Sequence, residues 1–160
     1  MVYVLMGVSG SGKTTVGKLL ADQLQLPFYD ADDYHSTANI TKMSGGVALN
    51  DADRLEWLAQ LRLHITQWQK DGGAVLACSA LKEKYRKILQ PPGTGFITWI
   101  FLKAPREIIE ERLIKRKGHY MNPSLSSSQF ETLEEPTYGI HIDVKDAPEK
   151  IVEQLLKQLK

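Results

Sequence analysis

The chain has 160 residues, a length that suits one compact domain with a sizeable hydrophobic core. Apolar residues make up 42% and charged residues 24% of the sequence, a balance that excludes a disordered or fibrous chain. The formal net charge is +1 and acids and bases are mixed, so we expect no broad surface for nucleic acid or an anionic membrane.

The cysteine content and the N-terminal residues indicate the compartment. Cys78 has no partner for an internal disulfide, which predicts a reducing environment and a buried thiol. The apolar stretch from Met1 to Met6 is too short for a signal peptide. No window approaches the roughly 20 apolar residues that span a bilayer, so we expect a cytoplasmic protein.

Apolar runs alternate with segments of helical periodicity along the whole chain. In chain order we predict a strand over Val2 to Met6, a helix over Thr14 to Leu24, a strand over Phe28 to Ala31, a helix over Asp53 to Gln69, a strand over Ala74 to Cys78, a helix over Leu81 to Leu89, a strand over Phe96 to Leu102, a helix from Pro105 to about Lys115, a strand over Gly139 to Val144 and a helix over Pro148 to Leu159. Strands that are almost wholly apolar suit a mainly parallel sheet covered on both faces. The sequence therefore predicts one domain over residues 1–160, an α/β fold with a five-stranded sheet and three α/β/α layers.

Two stretches interrupt this alternation and are richer in polar residues and glycine than an ordinary connection. The first covers residues 35–53, between the second predicted strand and the long helix. The second covers residues 117–137, after the fourth predicted helix. We interpret the first as a substrate segment and the second, together with the end of the preceding helix from about residue 112, as a lid.

Residues 7–14 read Gly-Val-Ser-Gly-Ser-Gly-Lys-Thr and match the phosphate-loop pattern G-x-x-x-x-G-K-[ST] between an apolar strand and an amphipathic helix. Its glycines allow backbone N–H groups to surround an anion, Lys13 supplies positive charge and Thr14 offers a hydroxyl to Mg²⁺. The predicted nucleotide-binding residues are Gly7, Val8, Ser9, Gly10, Ser11, Gly12, Lys13, Thr14 and Thr15. We therefore expect a complex of Mg²⁺ with a nucleotide.

The phosphate loop alone does not separate a kinase from a GTPase or an ATP-driven machine. The chain has neither the Asp-x-x-Gly switch nor the Asn-Lys-x-Asp motif expected of a GTPase. Ser44-Gly45-Gly46 faintly resembles the signature of transporter ATPases, and we interpret it as a turn. A module that uses ATP only as a switch stays open as an alternative, but such a module needs no acids beside a second cavity.

Acidic residues of that kind follow the second predicted strand. Asp30, Asp32 and Asp33 stand at its carboxyl end, where open parallel sheets bind their ligands. An aspartate there can hold water on Mg²⁺ or accept the proton of an attacking hydroxyl. We predict Asp32 as the catalytic base and Asp30 as a metal-side residue with Thr14, while helix capping is the alternative for Asp33.

Basic side chains near these acids suit an acidic substrate. With Asp32, the predicted substrate-binding residues are His35, Lys42, Arg54, Lys82, Tyr85 and Arg86. Arginine binds a carboxylate through two parallel hydrogen bonds. Lys82 and Arg86 are four residues apart and are predicted to share one helix face, whereas Lys84 and Lys87 are interpreted as solvated charges.

The densest basic run stands where the fourth predicted helix ends, and it comprises Arg112, Lys115, Arg116, Lys117 and His119. Such a run is either a solvated face or a lid that closes over ATP and brings positive charge to the transferring phosphoryl group. We favour the lid and predict Lys13, Arg112 and Arg116 as catalytic residues beside Asp32.

Nearly the whole chain resembles the gluconate kinases, within a larger group similar to shikimate and adenylate kinases. Beyond the phosphate loop through Thr15, the matching blocks are Asp30-Ala31-Asp32-Asp33-Tyr34-His35, Asn39-Ile40-Thr41-Lys42-Met43, Leu49-Asn50-Asp51-Ala52-Asp53-Arg54, Cys78-Ser79-Ala80-Leu81-Lys82 with Tyr85-Arg86, Arg116-Lys117-Gly118-His119-Tyr120-Met121, and Ser128-Gln129-Phe130-Glu131-Thr132-Leu133-Glu134-Glu135-Pro136. The chain departs from this pattern at Ser36, Ala48 and Glu56, where proline is typical.

The resemblance implies transfer of the γ-phosphate of ATP to the 6-hydroxyl of D-gluconate, with a homodimer as the usual assembly. It also places His119 and Gln129 among the substrate-binding residues. A kinase of another small hydroxylated acid is the first alternative, and an ATPase or a nucleotide switch is the second.

Overall fold

The structure, a computed structural model, describes residues 1–47, 49–93, 95, 97–115 and 123–159. Its elements are β1 (Val2–Met6), α1 (Lys13–Leu24), β2 (Phe28–Asp30), a 3₁₀ turn (Ala31–Tyr34), α2 (Thr37–Ser44), α3 (Asp51–Lys70), β3 (Ala74–Ala77), α4 (Glu83–Leu89), β4 (Ile97–Lys103), α5 (Arg106–Lys115), α6 (Pro123–Thr132), β5 (Ile140–Asp143) and α7 (Pro148–Leu159). Every predicted strand and helix is present, with ends shifted by at most two residues.

The five strands form one sheet in the order β2-β3-β1-β4-β5, and every described pairing is parallel. In the central strand, Val4 pairs with Leu76 of β3 and with Trp99 of β4. Because all strands run in one direction, the segments that follow β1, β2 and β3 meet at the carboxyl edge of the sheet.

Helices cover both faces of the sheet. On one face, α3 and α4 bury side chains such as Leu61 and Leu89 against the strands, in a core that also contains Cys78. On the other face, α1 and α7 pack through side chains such as Leu20 and Leu155. The predicted three-layer α/β/α fold and the buried cysteine are therefore confirmed.

Helix α2 lies within the predicted substrate segment, where the sequence predicts no regular element. Ser36 precedes it, and its hydroxyl oxygen accepts a hydrogen bond from the Asn39 N–H at 3.2 Å. Serine thus caps the helix at a position where the resemblance expects proline. Of the other two such positions, Glu56 lies within α3 and Ala48 lies outside the described residues.

Helix α6 lies within the predicted lid and was likewise not predicted. It begins at Pro123, and proline is favoured at a first helical position because its missing N–H removes no intrahelical bond. Residues 116–122, between α5 and α6, lie outside the described part of the chain. Within the described ranges, no helix combines the length and the apolar character needed to cross a membrane.

Candidate active site

The phosphate loop leaves β1 and turns sharply into α1. Gly7 has a φ of 147°, and a Cβ at this position would lie 2.9 Å from the carbonyl oxygen of Leu102 and 3.0 Å from Ser11 Oγ. Gly12, the residue before α1, has a φ of 99°, in the left-handed region that favours glycine. The two glycines therefore permit a tight loop that ends on a helix N-terminus, where an anion is attracted.

Two donor groups of the loop, the Lys13 ammonium and the Ser9 backbone N–H, already have partners within the protein. The Lys13 ammonium donates to the carbonyl oxygens of Gly7 at 2.9 Å and Val8 at 3.0 Å. The Ser9 N–H donates to Gln129 Oε1 at 2.6 Å, which ties the loop to α6. The loop therefore holds its lysine against the backbone that is predicted to bind phosphate.

Asp30 connects the phosphate loop to the 3₁₀ turn. Its Oδ2 accepts from the Thr14 hydroxyl at 3.2 Å, and its Oδ1 accepts from the Asp32 N–H at 3.0 Å. Burial raises the pKa of Asp30, and the neighbouring Asp32 charge also raises it, although the Asp32 N–H lowers it. Asp30 thus caps the turn, a role that the sequence left open for Asp33.

A cleft at the carboxyl edge of the sheet brings the predicted nucleotide and acceptor residues together. Its polar lining includes Lys13, Thr14, Asp30, Asp32, His35, Arg54 and Gln129. The Asp32 side chain is 57% exposed, so its carboxylate is accessible to a ligand in the cleft. The arrangement can hold a phosphate chain at one end and a hydroxylated acid at the other.

His35 lies between the Asp32 carboxylate and the indole ring of Trp57. Its ring stacks on Trp57 with centroids 4.0 Å apart, and its Nε2 lies 3.8 Å from Asp32 Oδ1. Burial lowers the pKa of His35, while the Asp32 charge opposes that shift. A neutral imidazole beside Asp32 is therefore favoured at neutral pH.

Trp57 is a cleft residue that sequence reasoning missed. It lines the cleft, and its Nε1 donates to the carbonyl oxygen of Ala31 at 2.8 Å. The signal was its position three residues after Arg54, which places both side chains on the same side of α3.

The two predicted substrate lysines, Lys42 and Lys82, form ion pairs and do not line the cleft. Lys42 Nζ lies 2.6 Å from Asp53 Oδ2, and Lys82 Nζ lies 3.7 Å from Asp51 Oδ1. Lys84 also contacts Asp51, so the charge interpreted as solvated has a carboxylate partner.

The structure does not bring Arg86 to the cleft. This residue is 2% exposed, and its guanidinium donates to the carbonyl oxygens of Ala80 at 2.6 Å and Glu134 at 2.8 Å. The prediction that Lys82 and Arg86 share a helix face is wrong, because α4 begins at Glu83 and Lys82 has an extended backbone. The two cations therefore point to different partners.

Only some of the basic residues predicted for the lid lie in the described part of the chain. Arg112 donates to the carbonyl oxygens of Gly10 at 3.0 Å and Val144 at 3.2 Å, so it joins α5 to the phosphate loop. Arg116 and His119 lie outside the described residues.

The residues beside the loop fit a magnesium ion that arrives with a nucleotide. In the described part of the chain, no three His, Cys, Asp or Glu side chains are grouped to hold a metal by themselves. Mg²⁺ in nucleotide sites binds few protein ligands and takes the rest from phosphates and water. Thr14 and Asp30, in contact beside the loop, are the residues that would hold it.

Comparison with known proteins shows the family. The family model described as Shikimate kinase matches residues 9–160. A probable gluconokinase of Rattus norvegicus is 43% identical over an alignment of 180 positions, which covers 99% of this chain and 97% of that protein. The chain belongs to the gluconokinase family.

Solved structures agree with membership of the gluconokinase family. A sugar kinase from Janibacter sp. HTCC2649 has a TM-score of 0.89 at 42% identity, over 98% of this chain and 92% of that one. A gluconokinase from Sinorhizobium meliloti 1021 has a TM-score of 0.87 at 38% identity, over 99% of this chain and 90% of that one. The fold of the kinase family that the sequence resembles is thus confirmed.

Proposed function

We propose that this protein transfers the γ-phosphate of ATP to the 6-hydroxyl of D-gluconate and releases 6-phospho-D-gluconate and ADP. The observation that supports this most directly is a single cleft in which Asp32 and Arg54 lie with the phosphate-loop residues Lys13 and Thr14. The similarity to gluconokinases over nearly the whole chain supports the choice of substrate.

At the nucleotide end, residues 7–15 bind the phosphates through backbone N–H groups and the N-terminus of α1. Lys13 exchanges its carbonyl partners, Gly7 and Val8, for phosphate oxygens and stabilises the charge that develops on them. Mg²⁺, when bound beside Thr14 and Asp30, offsets the phosphate charge.

At the acceptor end, Asp32 is the general base. As the hydroxyl oxygen of the acceptor forms its bond to phosphorus, the O–H bond breaks and its proton passes to the Asp32 carboxylate. The bond between the γ-phosphorus and the bridging oxygen of ADP breaks in the same transfer. His35 supports Asp32 from 3.8 Å without adding a positive charge that would weaken the base.

The substrate carboxylate is assigned to Arg54. Its Nη1 donates to the carbonyl oxygen of Leu49 at 2.5 Å and to Tyr85 Oη at 3.2 Å. Its Nε and Nη2 have no hydrogen-bond partner among the described residues. These two N–H groups form one edge of the guanidinium, which can bind both oxygens of a carboxylate.

The test is a coupled ADP-release assay with the purified protein, Mg²⁺ and a panel of acceptors. We expect turnover with D-gluconate, weaker turnover with other aldonic acids and little with glucose, which leaves the arginine unpaired. Lys13→Ala, prepared in parallel, controls for a contaminating kinase and should be nearly inactive. Turnover with shikimate but not with gluconate would make shikimate the substrate in place of gluconate. ADP release that is independent of every acceptor would indicate an ATPase.

We further propose the lid over residues 112–137, a homodimer and a cytoplasmic location. The lid is supported by the contact of α6 with the phosphate loop through Gln129, and the homodimer by the resemblance alone. Light scattering on the purified protein measures the assembly. Slower hydrogen exchange over α6 on addition of an ATP analogue would support the lid.

A further inference from the structure

Tyr85 links Arg54 to Asp51 across the gap between α4 and the start of α3. Arg54 Nη1 donates to Tyr85 Oη at 3.2 Å, and Tyr85 donates its hydroxyl proton to Asp51 Oδ1 at 2.5 Å. Tyr85 is only 4% exposed, whereas the Asp51 side chain is 45% exposed. The three side chains thus form one hydrogen-bonded row from the protein surface to the cleft.

The direction of these hydrogen bonds is fixed by charge. Hydrogen bonds from Lys84 and Tyr85 lower the pKa of Asp51 to about 2, so this carboxylate is ionised at neutral pH. Burial raises the pKa of Tyr85 to about 12, so its hydroxyl keeps its proton. An ionised carboxylate only accepts and a guanidinium only donates, so the tyrosine proton points to Asp51 and its lone pairs face Arg54.

Further contacts restrain the same guanidinium. The carbonyl oxygen of Leu49 accepts a second bond from Arg54 Nη1, and Arg54 Cζ lies 5.3 Å from the centre of the Tyr85 ring. Lys82 Nζ lies 5.7 Å from that ring centre as well as 3.7 Å from Asp51. One edge of Arg54 is therefore held by the protein, and the edge formed by Nε and Nη2 is left for a ligand.

We propose that Tyr85 and Asp51 are positioning residues for the acceptor site, which hold the Nη1 side of Arg54 so that its opposite edge meets the substrate carboxylate. This inference rests on the proposed function. Tyr85 and Lys82 then act through Arg54 and Asp51, whereas the sequence predicted that they contact the substrate themselves. An arginine held in its binding orientation loses less freedom when the substrate arrives, which favours affinity for the carboxylate.

The test compares Tyr85→Phe with Tyr138→Phe. The second is a matched control, because Tyr138 Oη also accepts from an arginine, Arg86 Nε, at 3.0 Å and donates to a carboxylate, Glu83, at 2.6 Å. We expect Tyr85→Phe to raise the KM for gluconate about tenfold, as the loss of a hydrogen bond to a charged group predicts. Its KM for ATP, and both KM values of the Tyr138→Phe control, should stay close to those of the wild type.

A double-mutant cycle separates positioning from general damage. If Tyr85 acts through Arg54, adding Tyr85→Phe to Arg54→Ala should change the gluconate KM by less than about twofold. Asp51→Ala, at a partly exposed position, removes the acceptor of the Tyr85 hydroxyl. It should raise the gluconate KM as Tyr85→Phe does, and it provides a second variant should that one fold poorly.

Two results would overturn the inference while leaving the proposed function intact. They are an unchanged gluconate KM in both Tyr85→Phe and Asp51→Ala, and full additivity of Tyr85→Phe with Arg54→Ala. A wild-type enzyme that does not phosphorylate gluconate would instead overturn the proposed function, and this inference with it.

Discussion

Arg86 allows a direct test of whether a buried cation stabilises the fold or binds the substrate. Its guanidinium donates to two carbonyl oxygens and to Tyr138 Oη at 3.0 Å, and it lies 3.5 Å from Glu83 Oε2. Replacing it in Arg86→Met keeps an unbranched side chain but removes all of these donors. The carbonyl oxygens of Ala80 and Glu134 would then lose a charged partner inside the protein.

The expected cost follows from these contacts. A hydrogen bond to a charged group contributes about 1.5–3 kcal/mol, and removing one partner of a buried ion pair costs about 3–5 kcal/mol. The three bonds share one group and methionine recovers some apolar burial, so we expect the free energy of unfolding to fall by about 4 kcal/mol. For a domain of this size, that corresponds to a fall of about 8–16 °C in Tm.

The assay combines urea unfolding with steady-state kinetics on the folded variant at low temperature. We expect lower stability with a gluconate KM within about twofold of the wild type, because the structure keeps Arg86 out of the cleft. Lys87→Met, one residue along at an exposed position, should change stability by less than about 0.5 kcal/mol. Normal stability with a strongly raised gluconate KM would refute this reasoning and return Arg86 to the substrate.

Three further outcomes are expected. Asp32→Asn should lower kcat by about 10²- to 10⁴-fold while calorimetry shows ATP binding nearly unchanged; a collapse of ATP affinity with a surviving rate would make Asp32 a nucleotide residue. Gln129→Glu places a carboxylate 2.6 Å from the Ser9 N–H, beside the phosphate site, and should weaken ATP binding more than ADP binding, which equal losses for both nucleotides would contradict. Burial lowers the pKa of His35 from its ordinary 6.5 in the folded protein. As pH falls, His35 therefore binds a proton in the unfolded chain at a higher pH than in the folded protein. The free energy of unfolding should therefore decrease below about pH 6.5. Urea unfolding at about pH 5 should show a smaller decrease for His35→Gln than for the wild type. Equal pH dependence in the two proteins would exclude His35 as the cause.

Most of the fold could be predicted because strands that are buried on both faces read as continuous apolar runs, as β4 does. Helices α2 and α6 could not be predicted in this way. Helix α2 has only 8 residues, and it buries the polar Asn39 with Met43 while Ile40 is exposed. In α6, serines favour turns and caps over helix interiors. Contacts distant in sequence, such as that of Gln129 with Ser9, 120 residues away, help to hold α6 in place.

The site was predictable where one motif fixes the spacing, as between Lys13 and Thr14. It was not predictable where a side chain depends on the residue at which a helix begins. Lys82 precedes α4, so its spacing from Arg86 carried no information about a shared face. The partners of Arg86 include the carbonyl oxygen of Glu134, 48 residues away, which charge patterns alone do not reveal.

Asp30 places one carboxylate between the two halves of the cleft, with Oδ2 on Thr14 and Oδ1 on the backbone of Asp32. A nucleotide that reorients this group also moves Asp32, the residue that we propose as the general base. Thermodynamic linkage makes any such coupling symmetric, so the factor by which ATP changes the affinity for gluconate equals the factor by which gluconate changes the affinity for ATP. A substitution at Asp30 would therefore alter the communication between the two substrates as well as the proposed binding of Mg²⁺.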